Sequence, residues 1–398
     1  MKNLFDAENV PLLLLKERAF NFRWAETAPD VIPLTAADPD FRAAPEISRA
    51  IAEYALDGVF SYGPHQGLNS FKQALATGLL KRKNYHLFPE LILPIDSVAS
   101  AMYAVARCYL QPGDEAIIFD PVDFLFEQAA LAAGASVKRC PFDEQRGAFC
   151  FEQLPKLINN RTKLIGVCNP HNPLGLIMSK AELEQLALLA QKHNLIILND
   201  EIWSDIVYPD QQMTSFHHLS NALQQQVVTV YGFSKSFALA GLRVGAIFAP
   251  NQAHYQALVN AANVMTTAGG VSTLSQIAAT EAILNCWYWV DAFIAHLTHL
   301  RDYAVTRLNQ MPGIQCRIPA ATYLLFPDIR ATGLCADEFV KECLKDKLAI
   351  VPGNERFFGP AAKGHVRICF ATSFSILQQG LDRMETTLIR LGVTSNAV

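Results

Sequence analysis

Short apolar runs separated by amphipathic stretches dominate the middle of the chain. The runs fall at residues 91–93, 116–119, 164–167, 195–198, 227–230 and 244–248, and the more polar stretch 136–139 reads as a further strand. Between several of them apolar positions recur at helical spacing, over 97–109, 124–133 and 180–193. In the last of these, Leu183, Leu186, Ala187 and Ala190 make one face, and Ser179 with Glu182 forms a capping box at its start. Unbroken apolar strands alternating with helices predict an α/β fold, with a mostly parallel, seven-stranded sheet covered by helices on both faces.

Helical spacing also marks residues 46–56, 68–80, 272–284 and 287–308. After these the alternation stops. A strand within 319–328, a helix over 336–346, a strand over 366–370 and a helix over 376–391 predict a smaller α+β unit. Residues 1–45 are interrupted by Pro29, Pro33, Pro39 and Pro45 and carry Phe20, Phe22, Trp24 and Phe41. They read as an arm packed onto other parts of the protein. The expected organisation is an arm belonging partly to a small domain (1–45), a large cofactor-binding domain (46–285) and a C-terminal small domain (286–398).

Charge narrows the classes of function. With 33 Lys and Arg against 37 Asp and Glu, the net charge of −4 argues against a nucleic-acid or anionic-membrane surface. No run of about 18 apolar residues lacks a charge, so no membrane span is expected. The amino terminus lacks a basic segment followed by a long apolar one, so the expected location is the cytoplasm. The nine cysteines are odd in number and form no CxxC pair. They predict reduced thiols rather than a disulfide framework or a metal site.

Ligands of open α/β sheets sit beyond the carboxyl ends of the strands. The run at 91–93 is followed by Ser97-Val98-Ala99-Ser100, which opens a helix. The run at 164–167 leads into Asn169-Pro170-His171-Asn172-Pro173, and that at 195–198 into Asn199-Asp200-Glu201. After 227–230 come Ser234-Lys235, with Arg243 eight residues beyond the lysine. Pyridoxal phosphate needs these four groups. Helix N–H groups and a cation hold its phosphate, a carboxylate keeps its ring nitrogen protonated, an amide meets its phenolic oxygen, and a lysine takes its aldehyde. Singly, each residue has a plainer reading. Lys235 and Arg243 suit a solvated surface, Asp200 and Ser97 suit helix caps, and Asn172 and His171 suit a turn. One cofactor accounts for their order and placement together.

The chain resembles the fold-type I pyridoxal-phosphate enzymes, specifically the class I/II aminotransferases and the cystathionine β-lyase-like C–S lyases. The resemblance is carried by Ala37-Asp38-Pro39-Asp40-Phe41, Tyr62-Gly63, Pro112-Gly113-Asp114, Asn169 to Pro173, Asp200-Glu201, Ser234-Lys235, Gly241-Leu242-Arg243 and Val366-Arg367. It implies that Lys235 forms the Schiff base and shuttles protons, that Asp200 pairs with the ring nitrogen and that Asn172 bonds the phenolic oxygen. It places Ser97, Val98, Ala99, Ser234 and Arg243 around the phosphate. Tyr62 would reach the phosphate of a neighbouring subunit, which implies a homodimer with shared active sites. Arg367 would clamp the substrate α-carboxylate, with Ala37 beside the substrate.

Three positions depart from the family pattern. Gly232 stands where a serine or threonine is common, which removes one phosphate hydroxyl. Trp203 stands where tyrosine or histidine is common near the phenolic oxygen. The ring-stacking aromatic position falls at Asp123, so that Phe124 stacks after a one-residue shift or Asp123 faces a substrate amino group. Arg243 favours transamination between an L-amino acid and a 2-oxo acid. Arg23-Trp24-Ala25-Glu26, Ala37 to Phe41 and Thr322-Tyr323-Leu324 resemble the lyases, which release pyruvate and ammonia. A catalytically silent binding protein on this fold is disfavoured by the presence of both Lys235 and Asp200. Substrate specificity is expected from the arm and from residues 62–66, 123–126 and 264–271.

Overall fold

The computed structural model describes residues 4–267 and 269–394. The ends of the arm and of the carboxyl-terminal unit, and Ala268 in the expected pocket loop, lie outside the described residues. The central sheet runs in the order Ile92–Ile95, Gly245–Phe248, Val227–Gly232, Ile196–Asp200, Thr162–Cys168, Glu115–Asp120 and Ser136–Asp143. These are the seven expected strands. An eighth, the two-residue Ala148–Phe149, closes a hairpin at one edge.

Five adjacent strands, from Val227–Gly232 to Ser136–Asp143, are parallel. Gly245–Phe248 is antiparallel to both neighbours. Parallel pairing needs a crossover that carries the chain back over the sheet. The link from Gly232 to Gly245 instead turns at the sheet's edge, through Lys235 and the short Ala240–Leu242 helix.

Side chains alternate across the sheet. Ile117, Phe119, Ile165, Val167 and Ile197 pack under helix Lys180–His193 through its Leu183 and Leu186. Ile118, Leu164, Leu198, Val228 and Val230 face the opposite core, with helix Val98–Tyr109. Both faces are therefore covered, as the unbroken apolar runs require.

Beyond helix Trp287–Gln310, strands Leu324–Leu325, Val366–Cys369 and Val351–Pro352 form a small antiparallel sheet. Helix Ala336–Lys345 packs against Val351–Pro352, and helix Phe374–Arg390 packs on that helix and on Trp287–Gln310. The arm is more ordered than its prolines suggest. It holds helix Leu12–Arg18, and its strand Ile32–Pro33 pairs in parallel with Leu348–Ala349. Arg23, buried by 99%, forms an ion pair with Asp40, and Trp24 Nε1 donates to Asp40 Oδ1 at 2.7 Å. The Arg23-Trp24 motif thus fixes the turn that carries Ala37 and Asp38. All nine cysteines are free thiols. Among the described residues no helix is long and apolar enough to cross a membrane.

Candidate active site

Three neighbouring parallel strands deliver three groups to one edge of the sheet. Asp200 ends its strand in register with Cys168 on one side and Val230 on the other. Its Oδ1 accepts from Ile202 N at 3.0 Å, and among the described residues no side chain donates to the carboxylate. Burial, with Asp123 and Glu201 adding negative charge nearby, raises its pKa to about 7. A buried carboxyl without a cationic bond partner fits a ligand that presents a protonated nitrogen.

Lys235 follows the Val227–Gly232 strand. Its Nζ donates to Ala37 O at 2.6 Å and lies 5.7 Å from the centre of the Trp203 ring. Tyr323 OH donates to the same oxygen at 3.3 Å, and its ring meets Trp203 edge-on at 4.7 Å. Burial pushes the Lys235 pKa down, with Arg367 acting in the same sense and Asp38 and Asp123 opposing it.

Asn172, from the turn after Thr162–Cys168, is bonded on both ends of its amide. Its Nδ2 donates to Asp123 Oδ2 at 2.8 Å, and its Oδ1 accepts from Arg367 Nη1 at 3.3 Å. Arg367 Nη2 donates to Thr35 O at 3.4 Å, its Nε has no partner among the described residues, and its guanidinium lies 5.1 Å from the Phe358 ring centre. A buried guanidinium bonded only to neutral oxygens is suited to an incoming carboxylate.

The helix Val98–Tyr109 points its amino end at the same region. Ser97 caps it, with Ser97 Oγ accepting from Ser100 N at 3.0 Å. Two glycines let this end approach the sheet. A Cβ on Gly232 would stand 2.8 Å from Val98 Cγ2, and one on Gly245 would stand 2.8 Å from Tyr231 O and 3.6 Å from Val98 N. Gly232 is therefore a packing requirement as well as a missing hydroxyl. Arg243 is exposed with φ +52°, and among the described residues its side chain and that of Ser234 bond no protein group. Uncapped N–H groups, a hydroxyl and a free guanidinium form a donor set suited to a phosphate. The residues present therefore fit pyridoxal phosphate.

The structure shows what surrounds several of the expected residues. Phe124 packs its ring against Phe357 at 6.4 Å, and Asp123 is the residue that meets Asn172. Trp203 is buried between Lys235 and Tyr323. Tyr62 is 90% exposed and lines a surface cavity of about 760 Å³ with Tyr54, Phe60, His65 and Leu274. Lys235, Asp200, Asn172 and Arg367 do not line that cavity. Burial drives the His171 pKa down to about 3, and among the described residues neither ring nitrogen has a partner, which suits a turn residue and not a proton carrier.

Sequence reasoning assigned no role to Asp38, whose charge acts on Lys235, although it stands inside a quoted motif. It also missed a buried polar cluster that includes Ser236, the residue after the lysine. Lys83 is ion-paired with the fully buried Asp205, which accepts from Tyr231 OH and Ser236 Oγ, each at 2.7 Å. These residues are scattered along the chain, and no local pattern marks them. Glu144, Asp328 and His365 lie close together elsewhere, with Arg330 ion-paired to both carboxylates.

An α/β sheet with a lysine, a carboxylate and an amide at successive strand ends defines a pyridoxal-phosphate enzyme of fold type I. Residues 29–383 match the family model for aminotransferase class I and II. The chain belongs to that family, whose cofactor is pyridoxal phosphate. It is 32% identical to an aspartate aminotransferase of Pyrococcus abyssi, covering 90% of this chain and 92% of that one. It is 30% identical to a cystathionine β-lyase of Bacillus subtilis, covering 90% of this chain and 93% of that one. A provisionally assigned aminotransferase from Clostridium difficile 630, solved with pyridoxal phosphate bound, superimposes with a TM-score of 0.88 at 26% identity, covering 94% and 97%.

Proposed function

We propose that this chain transfers an amino group between an L-amino acid and a 2-oxo acid, with Lys235 as the group that bonds the cofactor covalently. The observation that carries the proposal is the delivery of Asn172, Asp200 and Lys235 to one sheet edge by three adjacent parallel strands. When bound, pyridoxal phosphate supplies an electron sink for the carbanion left by loss of the substrate Cα proton.

The chain's own groups do the rest. Lys235 Nζ takes the Cα proton and returns it, and its lowered pKa makes a neutral amine available for that work. Asp200 would hold the proton on the cofactor's ring nitrogen, and Asn172 would donate to its phenolic oxygen. The Ser97, Val98 and Ala99 end of the helix, with Ser234 and Arg243, binds the phosphate. Arg367 receives the substrate α-carboxylate, and Ala37 and Trp203 border Lys235.

Exposed Leu56, Val59, Phe60 and Tyr62 support a homodimer in which Tyr62 serves the partner's site. The pairing of Ile32–Pro33 with Leu348–Ala349 supports grouping the arm with residues 286–398 as a small domain beside the large one at 46–285. The net charge and free thiols support a cytoplasmic location.

The likeness to the B. subtilis lyase favours a second reading, β-elimination from a sulfur-containing amino acid. Two assays separate them. One follows pyruvate from L-cystathionine alone, and the other follows glutamate from an amino acid with 2-oxoglutarate. Glutamate formation supports transfer; rapid pyruvate release without any 2-oxo acid sinks it in favour of elimination.

A further inference from the structure

Asp123 is the acidic end of a three-residue chain across the site. Its backbone N–H donates to Asn172 O at 3.3 Å, and its Oδ2 accepts from Asn172 Nδ2 at 2.8 Å. Its Oδ1 accepts from Leu125 N at 3.1 Å, which ties the carboxylate to the start of helix Leu125–Ala132. The far side of the Asn172 amide accepts from Arg367. A buried cation and a carboxylate are thus joined through one neutral amide, with no direct ion pair between them.

The charges around this chain are uneven. Arg367 and Lys235 both feel the negative charge of Asp123. Asp38 adds a second negative charge beside Lys235, while the nearby Arg23 is already paired with Asp40. A substrate α-carboxylate at Arg367 would consume the charge that Asp123 now balances. Asp123 is then left as surplus negative charge in a poorly solvated site, where like charges repel strongly.

Resting on the reading of Arg367 as the α-carboxylate anchor, we propose that Asp123 is a specificity-determining residue that selects against amino acids bearing a second carboxylate. The favoured substrates have neutral or cationic side chains.

The test compares molecules that differ by one carboxylate. Binding of butyrate and succinate to the cofactor-loaded protein is measured by titration calorimetry in wild type, Asp123→Asn, Asp123→Glu and Arg367→Met. The kcat/KM values for L-2-aminobutyrate and L-aspartate are measured alongside. Asp123→Asn keeps an acceptor for Asn172 but removes the charge. It is expected to strengthen succinate relative to butyrate by about tenfold or more, and to move the aspartate-to-aminobutyrate kcat/KM ratio in the same direction. Asp123→Glu is expected to keep the wild-type ratios. Unchanged ratios in Asp123→Asn, or an equal loss for both ligands, overturn the proposal; the second result would mean that Asp123 only holds Asn172. Undiminished butyrate binding in Arg367→Met would instead remove the anchor reading, so the two failures are distinguishable.

Discussion

Lys235 Nζ donates to the main-chain oxygen of Ala37 at 2.6 Å, across 198 positions of sequence. The lysine's hydrogen-bond partner is therefore neutral, while burial disfavours its charged form. A carboxylate in direct contact would have held the ammonium charged and weakened the amine as a nucleophile. The arm thus places the lysine without locking its proton.

Replacement of Lys235 by arginine keeps a cation but removes the amine. The wild-type enzyme loaded with pyridoxal phosphate is expected to show a visible absorbance band that borohydride abolishes. In Lys235→Arg the borohydride-sensitive band should be absent and kcat should fall by about a thousandfold or more. Retention of both would end the covalent assignment.

Gly232 tests whether backbone approach or a hydroxyl matters more at the phosphate end. Gly232→Ser places a Cβ 2.8 Å from Val98 Cγ2, a contact that must be relieved by movement of the helix start. We expect a stability loss of about 1–3 kcal/mol and weaker cofactor affinity. The double variant Gly232→Ser with Val98→Ala should recover much of both. Chemical denaturation and a cofactor titration check it, and a single variant as stable as wild type contradicts it.

Asp200 makes the cofactor-free protein sensitive to pH in a defined direction. Its folded pKa is raised to about 7 by burial, so the folded state retains a proton that the unfolded chain has released from about pH 4 upward. Stability of the cofactor-free protein should fall as pH rises from about 4 to 7. Asp200→Asn should flatten that fall by on the order of a few kcal/mol. Asp123 is shifted the same way and leaves a residual slope. Added pyridoxal phosphate should stabilise the wild type more than the variant. Parallel melting profiles for the two cofactor-free proteins would refute the assignment.

The ion pair of Arg23 with Asp40 holds the segment that supplies Ala37. Asp40→Ala leaves a buried guanidinium without its countercharge and removes the acceptor of Trp24 Nε1. The expected cost is about 3–5 kcal/mol in urea unfolding, accompanied by reduced activity as the Ala37 turn loosens. A change within experimental error would show that the pair is not needed.

Much of the scaffold was legible because the signals were local. Lys180–His193 announced itself through its capping box and apolar face, and the expected helix coincides with the observed one. Ile165 and Ile197 on one face, and Leu164 and Leu198 on the other, form strands because both sides of the covered sheet are apolar. The two-residue strands Leu324–Leu325 and Leu348–Ala349, and helix Gln252–Ala261, left weaker traces and were not delimited. The direction of Gly245–Phe248 was hidden because an apolar run does not encode its polarity.

By itself the sequence determined the strand–helix order, and with it the arrival of Asn172, Asp200 and Lys235 at consecutive strand ends, because hydrophobic periodicity acts over a few residues. The tertiary structure alone decided what those groups touch. It set Asp123 against Asn172 across 49 positions, Arg367 against Asn172 across 195, and Val98 against Gly232. Such contacts depend on how the arm, the sheet edges and the carboxyl-terminal strands return to one place. Close packing and scarce solvent there make each approach specific, and no local pattern of residues carries that information.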